Sequence, residues 1–199
     1  MRTTDLRDRL RSALEATSAP SSDFDLNPDV VLPENRVLRD AGVLVGVIAG
    51  ACPAVVLTKR SSRLKHHPGQ IAFPGGKVDP GDDGPTGAAL REAEEEIGLP
   101  RGAVEVLGTL PPHETVTGFT VTPVLGWISA SFDPVPEAGE VAEIFTAPFD
   151  RVTDPSRFSV QSRRWRGSLR HYYTVPWGPY YIWGATARML RVLSDRMPK

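Results

Sequence analysis

Hydrophobic and polar positions along the chain switch between a helical and a strand period, and those switches predict its elements. Leu6, Leu10 and Leu14, separated by arginine and aspartate, mark an amphipathic helix near the N-terminus. Residues 18–36, rich in Ser, Pro, Asp and Asn, predict an extended linker attached as an appendage to the core. β-rich runs at 43–48 and 54–58, separated by Gly50 and Pro53, predict two consecutive strands forming a hairpin. A short strand at 70–73 leads into Gly75 and Gly76, a loop rich in Pro, Gly and Asp follows, and a helix runs to a stop at Gly98 and Pro100. Strand-like runs recur at 104–110, 119–128, 141–145, 171–175 and 180–183. An amphipathic helix over 185–197, carrying Met189, Leu190 and Leu193, closes the chain. Strands on both sides of one strong helix, with another helix at the end, predict an α/β or α+β sandwich.

Composition narrows the class. With 199 residues, 40% hydrophobic and 24% charged, the chain is expected to form a soluble globular protein with one core. The 23 Lys and Arg balance 24 Asp and Glu, so no global field steers it to nucleic acid or an anionic membrane, and phosphate recognition must be local. Cys52 has no second cysteine to pair with and is expected to be a small buried thiol. No apolar run approaches the roughly 18 residues of a membrane span, and the charged N-terminal pattern lacks a signal-peptide apolar region. A reducing cytoplasmic location is the expectation, and a homodimer is compatible with the sequence.

The chemistry concentrates in residues 75–99, GGKVDPGDDGPTGAALREAEEEIGL. On a wheel advancing about 100° per residue, Glu96 lies about 40° and Glu95 about −60° from Glu92, so the three share one face. Ala89, Ala93, Ile97 and Leu90 form a separate apolar stripe, and Glu94 points to solvent. Like charges at these spacings repel by a few tenths of a kcal/mol per pair, roughly, unless cations neutralise them. An all-oxygen ligand set suits Mg²⁺ or Mn²⁺. Arg91 is placed to orient the carboxylates, and the glycine pair allows close backbone approach to a metal or phosphate.

This stretch resembles the Nudix box, Gx5Ex7REUxEExGU, in which U is a bulky aliphatic residue. Residues 91–99, REAEEEIGL, match REUxEExGU, with Ala93 as a small first U. The loop before them is one residue longer than the motif, and Asp82 or Asp83 replaces its isolated Glu. Upstream, Leu57, Thr58, Lys59, Arg60, Ser61, Gly69 and then FPGG at 73–76 resemble LLTxRSx3Rx3Gx3FPGG of the Nudix coenzyme A pyrophosphatases. Val56 stands for the first Leu of that pattern and Lys65 for its second Arg, which keeps charge but not a bidentate fork. The resemblance spans residues 36–195, dividing the chain into an N-terminal helix and linker, 1–35, and a Nudix hydrolase domain, 36–199.

The resemblance implies an α/β/α sandwich with a mixed sheet and a loop–helix–loop box. It implies divalent-metal-dependent hydrolysis of the diphosphate bond of CoA into 3′,5′-ADP and 4′-phosphopantetheine. Glu92, Glu95 and Glu96, with the Gly75 carbonyl, are the expected ligands of Mg²⁺ or Mn²⁺, and Arg91 their orienting partner. Glu140 is the first candidate for a further catalytic carboxylate outside the helix, ahead of Glu137 and Glu143. Arg60, Arg63, Lys65 and His113 are the substrate-binding candidates. Phe119, Tyr181 and Trp183 are candidates for stacking on adenine. Other Nudix substrates, such as ADP-ribose, NADH or dinucleoside polyphosphates, and a non-catalytic Nudix-like module are the alternatives.

Overall fold

The computed structural model describes residues 3–165 and 167–198. In chain order they form α1 (Thr3–Glu15), β1 (Ser21–Ser22), β2 (Arg39–Ile48), β3 (Ala54–Arg60), β4 (Ile71–Ala72), β5 (Gly75–Lys77) and α2 (Gly84–Ile97). There follow β6 (Val104–Thr109), β7 (His113–Glu114), β8 (Phe119–Ile128), β9 (Val141–Pro148), α3 (Phe149–Val152), β10 (Ser159–Trp165), β11 (Ser168–Thr174) and α4 (Gly184–Arg196). The long strands β2 and β8 run parallel at the centre of a mixed sheet, in register from Arg39 opposite Phe119 to Ile48 opposite Ile128. The sheet continues through β7 and β1 on one side and β3 and β4 on the other, while β5, β6 and β9 pair with β2, β8 and β3.

Strand periodicity sorts side chains between two faces. Leu44, Val56, Val124 and Ile128 point to one face and pack against Ala89, Ala93 and Ile97 of α2. Their neighbours Val45, Val55, Leu57 and Leu125 point to the other, where Leu6 and Leu10 of α1 and Leu190 and Leu193 of α4 complete the second core. The result is an α/β/α sandwich. Each fully buried aliphatic side chain contributes about 2 kcal/mol, so the apolar stripe of α2 anchors the helix despite its acidic face. Gly42 makes that docking possible, because a Cβ there would lie 1.8 Å from the Pro85 carbonyl oxygen at the start of α2. The chain leaves α2 through Gly98 in the left-handed conformation, with the Gly98 and Leu99 N–H groups donating to Glu94 and Ala93 carbonyls.

Several sequence expectations change. The N-terminal segment is no appendage: Leu6, Leu10 and Ala13 are fully buried, and β1 pairs in parallel with β7. The predicted 43–48 and 54–58 strands do form a hairpin, pairing antiparallel at their ends. The 75–77 segment, read as a glycine loop entry, is a strand on β2. The strand expected at 180–183 is reduced to isolated bridges, Thr174 with Trp183 and Trp177 with Tyr180. β10 carries no sequence signal for a strand, because its polar run Gln161–Arg164 has no apolar face; it forms an exposed hairpin with β11. Cys52 is exposed rather than buried, since it lies in the β2–β3 turn where no core reaches. No helix among the described residues is long and apolar enough to cross a membrane.

Candidate active site

The α2 carboxylates separate by burial. Glu96 is buried, 5% exposed, because it sits at the rim of the apolar stripe against β5, where the Gly75 N–H donates to its Oε2 at 3.1 Å. Glu92 is half-buried beside Gly76, where an added Cβ would lie 2.3 Å from its Oε1. Glu95, expected on the same face, stands at the outer edge with its side chain 58% exposed. Glu94 faces solvent and pairs with Arg101 at 2.9 Å.

Arg91 is the hub of the box. Its Nε and Nη2 bind Asp82 at 2.9 and 3.0 Å, Nη1 binds Glu92 and Glu95 at 3.0 Å each, and Nη2 reaches the Lys77 carbonyl at 3.2 Å. Asp82, not Asp83, is therefore the loop acid engaged with the box. Its fork-to-fork bond with Arg91, then the Asp79 amide, hold its carboxyl below the usual range. The same bonds hold the Arg91 guanidinium firmly protonated. Helix spacing alone sets Arg91 beside the glutamates, whereas its bonds to Asp82 and to the Lys77 carbonyl of β5 depend on the path of the loop.

Burial dominates the titration of the inward pair. Desolvation raises Glu92, opposed by its bond to Arg91 and reinforced by Glu95 and Glu140. Glu96 is pushed up to about 7, first by desolvation, with the Gly75 N–H and Arg60 pulling it down and Glu92 and Glu140 pushing it up. Arg60, at the bulged end of β3, is thus the cation of the predicted trio that acts on Glu96, whereas Arg63 and Lys65 lie exposed farther along the loop.

The three candidate acids outside the helix are distinguished by their engagements. Glu137 spends Oε2 on the Gly139 and Glu140 N–H groups, and Glu143 accepts from the Tyr180 hydroxyl. Glu140 is exposed, and its carbonyl accepts from Ser61 N–H at 2.7 Å, which seats it beside Arg60 with its charge felt at both Glu92 and Glu96. His113, a substrate-binding candidate in the sequence, is turned into the protein interior. It is fully buried, and both ring nitrogens are engaged, by Ser21 Oγ at 2.9 Å and Asp23 Oδ1 at 3.1 Å. Phe119 lies under Arg39 on β8, apart from Tyr181 and Trp183, which gather with Tyr172 beyond β11.

The donor set suits a hard divalent ion. Two desolvated carboxylates that repel each other, beside backbone that approaches without side chains, lack only positive charge. Among the described residues no three His, Cys, Asp or Glu side chains are gathered as a group that could hold a metal ion by themselves. Glu140 is exposed and Arg60 half-buried, so this margin of the site meets solvent.

The NUDIX domain family matches residues 38–177, which include β2, β5, α2, Asp82 and Glu140. The chain belongs to the Nudix family. It is 40% identical over 173 residues to the uncharacterised Nudix hydrolase NudL of Citrobacter koseri, spanning 87% of this chain and 90% of that one. A NudL from an Enterobacter species is 40% identical over 156 residues, 78% of this chain and 81% of its own. Among solved structures, the Nudix hydrolase RenU from M. smegmatis is similar with a TM-score of 0.49 and 25% identity, over 61% of this chain and 84% of that one. Nudix hydrolases act on small-molecule nucleotide substrates and generally use divalent metals, and this chain is a hydrolase of that family.

Proposed function

We propose that the chain hydrolyses the diphosphate bond of coenzyme A, giving 3′,5′-ADP and 4′-phosphopantetheine, with Mg²⁺ or Mn²⁺ as cofactor. The observation that supports the reading is the buried Glu96 carboxylate, bonded by the Gly75 N–H and lying within the fields of Glu92, Glu140 and Arg60. Glu92 and Glu96, with Glu95 and the Gly75 carbonyl at the margin, would hold the divalent ion. Bound there, it would supply charge to the diphosphate oxygens and acidify an attacking water.

The chain's own residues do the rest. Arg91 locks Glu92 and Glu95 in position and neutralises part of their charge, and Asp82 fixes Arg91 in turn. Arg60 is placed to take a diphosphate oxygen as charge moves toward the leaving group. Glu140 has the exposure and the position to accept a proton from water entering on the open side. Preference for CoA is supported by the 57–76 signature, whose Arg60 acts electrostatically on Glu96 while its FPGG segment leads into β5.

The test is turnover of a panel comprising CoA, acyl-CoA, ADP-ribose, NADH and dinucleoside tetraphosphates, with products separated by chromatography. Release of 3′,5′-ADP from CoA, dependent on Mg²⁺ or Mn²⁺ and abolished by EDTA, is expected. Preferential cleavage of ADP-ribose refutes the CoA assignment, and inertness toward every member with either metal refutes the enzymatic reading.

A further inference from the structure

The β10–β11 hairpin is chemically unlike a surface ornament. A two-stranded ribbon is marginal on its own, and this one sets Arg163 directly opposite Arg170, a like-charge pairing that costs stability. Arg163 is nevertheless held in place. Its Cζ lies 4.9 Å from the centre of the Trp183 ring, which also meets Tyr172 edge-on at 5.1 Å. The Tyr172 hydroxyl lies 3.4 Å from that of Tyr181, an exposed side chain. Among the described residues no carboxylate forms an ion pair with Arg163.

The segment that carries Tyr181 and Trp183 packs on the strands beside Arg60, for the Tyr180 hydroxyl donates to Glu143, which lies opposite Lys59 of β3. α4 begins immediately after Trp183, and no side chain caps its first turn. Gly184 faces Gln70, whose Nε2 would lie 3.9 Å from a Cβ at that position, and the Gln70 carbonyl accepts from Arg60 N–H at 2.9 Å. Gln70 therefore bridges the two segments, its side chain reaching toward Gly184 and its backbone paired with Arg60.

We propose that Arg163, Tyr172 and Tyr181, mounted on Trp183, form a subsite for a phosphate monoester on the nucleoside half of the substrate. This rests on the CoA reading above, in which the group is the 3′-phosphate of the ADP moiety. A phosphate monoester carries about −1.5 to −2 charge and three accepting oxygens near neutral pH. The guanidinium offers a two-donor edge, and the phenol pair, in which one hydroxyl donates to the other, keeps one O–H free to donate to the anion. The Tyr172 hydroxyl is held protonated, its pKa raised chiefly by the bond to Tyr181, so it remains a donor. Stacking on Trp183 fixes the guanidinium plane before binding and lowers the entropy lost when the anion arrives. The arginine-rich hairpin thereby becomes a specificity element.

The test compares binding of 3′,5′-ADP and 5′-AMP, which differ by the one phosphate, by titration calorimetry on the full chain. Wild type is expected to bind 3′,5′-ADP roughly 10- to 100-fold tighter, the range of one charge-assisted contact. Arg163→Ala should erase that advantage and Tyr181→Phe should reduce it. Arg164→Ala, on the opposite face of β10, should retain it. Circular dichroism melts establish that each variant is folded. Equal affinities in wild type, or an undiminished advantage in folded Arg163→Ala, overturn the subsite. The two readings fail separately: a 3′-phosphate advantage lost in Arg163→Ala supports the subsite even where CoA is not cleaved, and CoA cleavage without that advantage leaves only the catalytic reading standing.

Discussion

Glu96→Gln removes a charge from the α2–β5 junction while keeping the side chain's shape and its acceptor for the Gly75 N–H. In the metal-free protein the Glu96 carboxyl titrates near 7, against an ordinary value of 4.5. The native state therefore holds this proton more tightly than the unfolded chain. Below about pH 4.5 both states are protonated, and the buried acid is tolerated. From there to about 7 stability falls as pH rises, by about 1.4 kcal/mol per pH unit, and the loss levels off near 3 kcal/mol, roughly, above it. Glutamine does not titrate. Urea unfolding in EDTA should thus give similar stabilities for wild type and Glu96→Gln near pH 4.5, and a variant more stable by about 3 kcal/mol near pH 8. Excess Mn²⁺ should raise wild-type stability near pH 8 and narrow the difference, because an ion bound only to the native state stabilises it. Parallel stability profiles for the two proteins across this range would refute the argument that Glu96 is buried at an electrostatic cost.

Glu96→Gln should also reduce turnover of the preferred substrate by at least about 100-fold, while Glu94→Gln, at an exposed position paired with Arg101, leaves kcat nearly unchanged; equal losses in steady-state assays would contradict the helix phase. Arg91→Lys keeps the charge but cannot bridge Asp82, Glu92 and Glu95 together, so a stability loss of about 2 kcal/mol and a larger loss of kcat are expected from denaturation and kinetics. His113→Ala should cost about 2–3 kcal/mol and increase proteolysis of the 16–35 segment, with KM unaltered, because both imidazole contacts tie that segment to β7; a raised KM with unchanged stability would restore His113 to the substrate site. Gly42→Ala should destabilise by about 1–3 kcal/mol in urea unfolding, since its Cβ would enter the Pro85 carbonyl.

How much was legible varies residue by residue. The separation of Glu94 from Glu92 and Glu96 follows from helix period alone and appears in the structure as exposure against burial. Glu95 shares their sector on the wheel, yet it is exposed, because β5 covers one flank of α2 and a wheel carries no sheet. Among Glu137, Glu140 and Glu143 the sequence could rank but not separate, since their roles depend on which backbone amide or tyrosine each one meets. His113 looked chemical in a polar loop. Its partners, Ser21 and Asp23, stand about 90 residues earlier, so no local pattern connects them.

Local chemistry thus determined the strand periods, the acidic helix with its glycine stop, and the motif that places the chain in the Nudix family. Those properties arise from neighbours within a few residues, which a sequence displays directly. Tertiary structure alone decided that β1 and α1 belong to the core, that Asp82 closes the Arg91 network, and that Arg163 comes to rest on Trp183. Each depends on the sheet bringing distant segments together, and burial then sets which charges are costly and therefore available for chemistry.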